Sequence, residues 1–191
     1  MSELMPLREA LLADLAVNWH HRGTSRRPNS WLDIARGATD VRFLPVALVR
    51  LANTLAAGPK PIRVVAKIVA LLNRQVFGVE CATQTEIGPG LYFPHTGGIV
   101  IGAERLGARC TVYHQVTFGA QTIDMPFTPG LRPIVGDDVI VAAGAKVLGG
   151  VTIGDHAIVG ANAVVVHDIF PRSVVGGIPA VPISKVPNES T

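Results

Sequence analysis

The chain has 191 residues, 48% of them hydrophobic and 16% charged, with a formal net charge of +3. That is enough chain for one compact unit, and apolar enough that part of its surface is expected to lie between subunits. Two cysteines, Cys81 and Cys110, are too few for a disulfide framework and lack zinc-ligand spacing, while the basic stretch Arg22, Arg26, Arg27 is too short and aromatic-poor for nucleic acid.

The mild basic balance fits anionic small ligands, such as nucleotides or coenzyme A, as well as it fits a plain solvated surface. Met1–Asp14 carries charges where a signal peptide would need an apolar core. The longest apolar stretch, Ile62–Val76, is interrupted by Arg63, Lys67 and Arg74, so no transmembrane segment is expected. A cytoplasmic protein is the expectation.

Residues 1–78 read as a helical region. Leu4, Leu7, Leu11, Leu12, Leu15 and Val17 give one amphipathic helix that ends before the basic loop Arg22–Pro28. Trp31–Arg36 predicts a short helix. Val41–Ala57 and Pro61–Phe77 predict two more, split by the breaker Gly58-Pro59, and Gly78 closes the region.

From residue 79 to 183 a different period takes over. Val135, Val141, Val147, Ile153, Val159 and Val165 recur every six residues, and four residues after each comes Val139, Ala145, Val151, Ala157, Ala163 and Ile169. Neither a helix nor a simple strand repeats at six. Six-residue units, three to a triangular coil, are the signature of a parallel β-helix. The beat begins at Ile87, Phe93 and Ile99, reopens at Ile101, and resumes at Leu106, Val112 and Phe118 after a coil one residue short. It is broken by residues 120–132, which contain Pro126, Pro129 and Gly130 and predict a protruding loop. Pro171, Gly176, Gly177, Pro179 and Pro182 end it, leaving 184–191 as a tail. The expected class is therefore mainly β, a left-handed parallel β-helix with a small N-terminal α-helical cap.

Rotating the beats over three faces puts Phe93, Val112, Val141 and Val159 on one face, about 4.8 Å apart. Side chains two residues later point outward, and these are His95, His114, Ala143 and Ala161. A polar pair at the end of a column of small residues suits a long thin ligand with a reactive end.

The run Gly88-Pro-Gly-Leu-Tyr-Phe-Pro-His95-Thr-Gly-Gly-Ile-Val-Ile-Gly102 resembles the catalytic coil of serine acetyltransferases. Gln115–Gly119, Ala143–Gly149, Gly160–Val165 and Gly177–Ala180 are similar to that family at corresponding places, so the resemblance covers about residues 79–183. It implies a homotrimer, or a dimer of trimers, with acetyl-CoA along a groove between subunits. It also implies that His95 acts as general base on an acceptor hydroxyl, the task an imidazole titrating near neutrality can perform.

By the same resemblance Glu80, fifteen residues before His95, orients the imidazole, with Glu86 and Glu104 as alternatives. Gly119, Ala120, Ala143 and Ala161 would line the coenzyme groove, and Lys185 would stand in for the basic residue replaced by Val181. Pro94 and Arg132 depart from the family's aspartate and second histidine. Arg132 could hold a substrate carboxylate or a coenzyme phosphate through its forked donors. His114 is expected at the acceptor side or in the groove wall. L-serine or a related hydroxy amino acid is the leading acceptor, and a sugar or secondary-metabolite hydroxyl is the alternative.

Two further readings compete. A bare hexapeptide coil also suits a non-catalytic scaffold. Stacked histidines also suggest zinc, but such interface sites need three imidazoles including a closely spaced pair. His20-His21 in the helical region is the one adjacent pair, so no metal is expected.

Overall fold

The computed structural model describes residues 5–124 and 126–186. Leu4, Met125 within the protruding loop, and 187–191 of the tail lie outside the described residues. Four helices come first: α1 (Leu7–His21), α2 (Trp31–Gly37), α3 (Leu44–Ala56) and α4 (Lys60–Phe77). Sequence patterning placed all four within a few residues, and α1 continues to His21. Ser30 caps α2 by accepting the Asp33 N–H at 3.2 Å. Gly78 ends α4 in the left-handed conformation, with φ +65°.

The coil follows as short strands on three faces. Face A holds β1 (Val79–Cys81), β3 (Ile99–Ile101), β6 (Thr117–Gly119), β9 (Lys146–Leu148) and β12 (Val164–Val165). Face B holds β2 (Glu86–Ile87), β4 (Arg105–Leu106), β7 (Ile134–Val135) and β10 (Thr152–Ile153). Face C holds β5 (Thr111–Val112), β8 (Ile140–Val141), β11 (Ile158–Val159), β13 (Ser173–Gly176) and β14 (Val181–Lys185). Every pairing is parallel except β13 with β14, which is antiparallel. Three ladders on three faces make a left-handed parallel β-helix.

The six-residue beat is the inward side of this prism. Val135, Val141, Val147, Ile153, Val159 and Val165 are all buried, as are the small residues four positions on. Ile99 and Ile101 are both fully buried, and Ile101 is the one in register with Phe118 and Val147. Val46 and Val49 of α3 join this core, so the cap closes the open end of the coil. Leu11, Leu15, Ile34 and Phe43 form a small second core among the helices.

Where face B turns into face C, coils approach too closely for side chains. Gly88, Gly107, Gly136 and Gly154 form a column there, and a Cβ on Gly107 would sit 2.3 Å from the Gly136 carbonyl oxygen. The next column, Arg109, Asp138, His156 and Arg172, has φ of 54° to 58°. Arg109 grips Asp138 with two bonds of 2.6 Å, a pairing that stitches adjacent coils and holds the Asp138 carboxyl below its ordinary range.

The cap is bolted to the coil by one buried ion pair. Arg50 on α3 donates to both carboxylate oxygens of Asp14 on α1, at 2.8 and 2.9 Å. It also donates to the carbonyls of Ile87 and Gly88, at 2.7 and 2.6 Å. Asp14 in turn accepts the N–H groups of Gly90 and Leu91, each at 2.8 Å. Burial pushes the Asp14 carboxyl up, and Arg50 with the two N–H groups opposes that rise. The segment fixed in this way, Ile87–Leu91, leads directly into the His95 corner.

Candidate active site

The predicted column is present from His114 onward, while in the coil before it the residue in register is Gly97, whose carbonyl accepts the Gln115 N–H, and His95 is displaced from the column. Tyr92 pairs with Thr111, Val112 with Val141 and Val141 with Val159, so Phe93, Val112, Val141 and Val159 stack on face C. At the corner after them, Gly144 N–H donates to His114 O and Asn162 N–H to Ala143 O, which sets His114, Ala143 and Ala161 in line. The His95 and His114 rings meet edge to face, with centroids 5.9 Å apart, and Tyr113 lies 6.3 Å from His95.

The His95 corner is larger than the others. The chain takes eight steps from Tyr92 to Val100 but six from Thr111 to Thr117, although both pairs are in register. The two extra residues push Pro94, His95 and Thr96 out of the prism. His95 is exposed on this protrusion, and His114 is half-buried beneath it. Among the described residues the buried Nδ1 of His114 has no hydrogen-bond partner. Lys146 braces the corner from below, its ammonium donating to the carbonyls of Gln115 and Gly144.

Other expected site residues lie elsewhere. Glu80 projects from face A, in register with Val100 and Thr117, and its carboxylate meets Arg74 of α4 at 3.5 Å. Among the described residues no ion pair joins His95 to a carboxylate, so the expected Glu80–His95 contact is not made within one chain. The longer glutamate side chain turns instead toward α4, and Glu80 lines a cavity of 350 Å³ shared with Val100, Thr117, Phe127 and Arg132. Glu86 and Glu104 do not take its place beside His95. Glu86 is on face B, and Glu104 accepts the Gly130 N–H at 2.8 Å.

Arg132 is engaged inside the chain. It donates to the Asp124 carboxylate at 2.9 Å, to the Asp124 carbonyl at 2.7 Å and to Gly102 O at 3.0 Å, and its guanidinium covers the Phe127 ring at 4.2 Å. Within one chain these contacts make Arg132 a clamp on the 120–132 loop. Gly119 ends β6 and Ala120 opens the loop, four and five residues beyond Gln115, so they flank the opposite edge of face A from the histidine column.

Lys185 is not in the tail but on β14, exposed and opposite Ser173. The column's next rung after Ala161 is Gly177, because Val159 pairs with Val175. Four residues of strand separate Ser173 from Gly177, about 13 Å at about 3.3 Å per residue. Lys185 thus lies across face C from the groove it was expected to serve. These three placements share a cause: side-chain partners are chosen by tertiary neighbours that spacing does not reveal.

Burial pushes both thiols, Cys81 and Cys110, up to about 12, so neither is a nucleophile at neutral pH. Sequence reasoning missed the cap's contribution. Arg42 donates from Nε to the carbonyl of Pro94 at 3.2 Å, and His21 stacks on Tyr92 with centroids 4.5 Å apart. No spacing in the sequence signalled these contacts.

A three-faced hexapeptide coil carrying an exposed imidazole above a small-residue column defines a hexapeptide-repeat transferase. Residues 132–167 match the family model described as bacterial transferase hexapeptide (six repeats). The serine acetyltransferase of Helicobacter pylori is 38% identical over 122 residues, which are 63% of this chain and 70% of that protein. That of Mycobacterium tuberculosis is 41% identical over 119 residues, 61% of this chain but half of the relative's length. The crystal structure of the Neisseria gonorrhoeae serine acetyltransferase superposes with a TM-score of 0.78 at 26% identity, covering 96% of this chain and 68% of that one. The chain belongs to the serine acetyltransferase family.

Proposed function

We propose that the chain transfers an acetyl group from acetyl-CoA to the hydroxyl of L-serine or a related hydroxy amino acid. The observation that carries this reading is the exposed His95 ring meeting His114 edge to face, with Ala143 and Ala161 continuing the His114 column. In the reaction the acceptor hydroxyl attacks the thioester carbonyl while His95 takes its proton. The C–S bond then breaks, and the imidazolium returns the proton to the leaving coenzyme A thiolate. A neutral hydroxyl is a poor nucleophile, and removing its proton during attack contributes about 10² to 10⁴ in rate. The small side chains of Ala143 and Ala161 leave room for a pantetheine arm and for bonds between its amides and the coil backbone.

The reading includes a homotrimer. Within one chain His95 and the Gly119–Ala120 loop entrance flank opposite edges of face A, and a second copy would bring a loop against each histidine corner. Coenzyme A would then lie between copies. Free thiols at Cys81 and Cys110 suit a reducing cytoplasm, and no helix among the described residues is long and apolar enough to cross a membrane. A sugar or secondary-metabolite hydroxyl is the second reading of the acceptor, favoured by Pro94 and by the engagement of Arg132 within the loop. Thiol release from acetyl-CoA with each acceptor class tests the proposal. His95→Ala is expected to lower turnover at least about 100-fold with coenzyme binding intact; near-normal turnover sinks the mechanism.

A further inference from the structure

Helix α4 is rotated so that its apolar side faces away from the core. It packs on α3 and β1 through Ala66, Val69, Ala70, Asn73 and Phe77, which are buried or half-buried, and Asn73 donates to the Pro45 carbonyl at 3.0 Å. The larger apolar side chains lie on the opposite side. Val64, Val65, Ile68, Leu71, Leu72 and Val76 are each 47% to 68% exposed. At 3.6 residues per turn they share one arc of the helix. A surface helix ordinarily sets such a stripe against its own core, and a contiguous apolar patch left outside marks a contact surface.

The charge beside the stripe identifies the partner. α4 holds four cations, Lys60, Arg63, Lys67 and Arg74, and no acidic residue. On the same helical projection all of them fall along one edge of the stripe. Two carboxylates of the coil lie near that edge. Glu80 meets Arg74 at 3.5 Å, and Glu86 shares a cavity with Arg63 and Lys67. The cavity has a volume of 490 Å³, and Asn53, Thr83 and Gln84 give it further polar walls. It therefore opens along the cationic edge of the helix. Pairing the stripes of two copies would bring two such sets of cations together with no acidic residue of α4 between them, which like-charge repulsion opposes.

We propose that α4 lies flat on an anionic lipid surface, with its apolar stripe sunk to the level of the upper acyl chains and a lipid phosphate headgroup held at the cavity by Arg63 and Lys67. Helices with an apolar side bordered by Lys and Arg bind lipid in this way, apolar burial and attraction to anionic headgroups acting together. The 18 residues of α4 give about 27 Å of helix to lie along the surface. The inference uses no residue of the His95 corner and is independent of the acetyl-transfer reading.

Flotation of the full chain with vesicles tests it. Vesicles of phosphatidylcholine mixed with phosphatidylglycerol are expected to bind the protein at least about tenfold more tightly than vesicles of phosphatidylcholine alone, and the difference is expected to shrink at high salt. Ile68→Asn and Leu71→Asn should each weaken binding about tenfold or more by removing apolar burial. Lys67→Gln should weaken binding to the mixed vesicles and leave binding to phosphatidylcholine unchanged. All three positions are exposed, and an unchanged thermal midpoint shows that each variant is folded. No flotation of the wild type, equal binding to both vesicle types, or undiminished binding by the two stripe variants overturns the inference. Displacement from the vesicles by inorganic phosphate alone overturns it too, since the site would then serve a free anion. A fall in oligomer mass by light scattering in Ile68→Asn or Leu71→Asn, without lipid, assigns the stripe to contact between copies and overturns it as well.

Discussion

Arg50→Met probes the bolt between cap and coil. Methionine fills comparable volume along the same path, so the loss is polar: four hydrogen bonds and one counter-charge. Asp14 remains fully buried, still accepting from Gly90 and Leu91 but without its cation. Breaking a buried pair from one side costs about 3–5 kcal/mol, a large part of the roughly 5–15 kcal/mol that holds a domain together. Urea unfolding at fixed protomer concentration should show that loss as a lowered midpoint, with faster amide exchange at Gly90 and Leu91. The deficit should shrink in acid. A carboxyl whose pKa is raised by folding carries its full penalty above the folded value and none below the unfolded one. Asp14→Leu with Arg50→Met should recover part of the loss, limited by about 1–3 kcal/mol for each N–H left without an acceptor. A single variant within about 1 kcal/mol of wild type would refute the claim that this pair fixes the cap.

Gly107→Ala puts a methyl group 2.3 Å from Gly136 O and 2.4 Å from the Asp137 carboxylate, and should cost at least about 3 kcal/mol in the same unfolding assay; an unchanged midpoint means the coils can part without penalty. Ile153→Ala, at a fully buried rung of face B, should cost about 2–5 kcal/mol, read as a lowered thermal midpoint. The loop should loosen in acid. Burial alone would raise the Asp124 carboxyl, but the Thr128 hydroxyl and N–H together with Arg132 hold it below its ordinary value of 3.8. Its contribution is therefore complete above that value and lost as pH falls through the lower folded one. Proteolysis within residues 120–132 should accelerate at the acid end of the range and in Asp124→Asn at neutral pH, and equal rates at both would discard the clamp.

The prism was legible because its period is a property of the backbone and of inward side chains. Val135 through Val165 mark their rungs, and the same count set His114, Ala143 and Ala161 on one column, although it did not show the two-residue insertion that displaces His95 from it. Local signals also served the helices, where Gly58-Pro59 and Gly78 bound α4. What spacing did not carry was the choice of partner. Glu80 turns to Arg74 because α4 lies beside β1, Arg132 folds back onto Asp124, and Lys185 is displaced by the reversal of β14. Arg42 is 52 residues from Pro94 in sequence, and no periodicity connects them. Solvent-facing charges bond to whatever the tertiary structure brings near, whereas buried valines have one place to go.

The reversal at β14 bears on more than the position of a lysine. A stack of parallel rungs offers its last strand as a template on which another molecule could lengthen the sheet without limit. On face C that final edge is occupied by a segment running the opposite way, with a register shift between Val174 and Val175. An incoming parallel rung meets an antiparallel strand there in place of the parallel ladder, which disfavours end-to-end growth on this face.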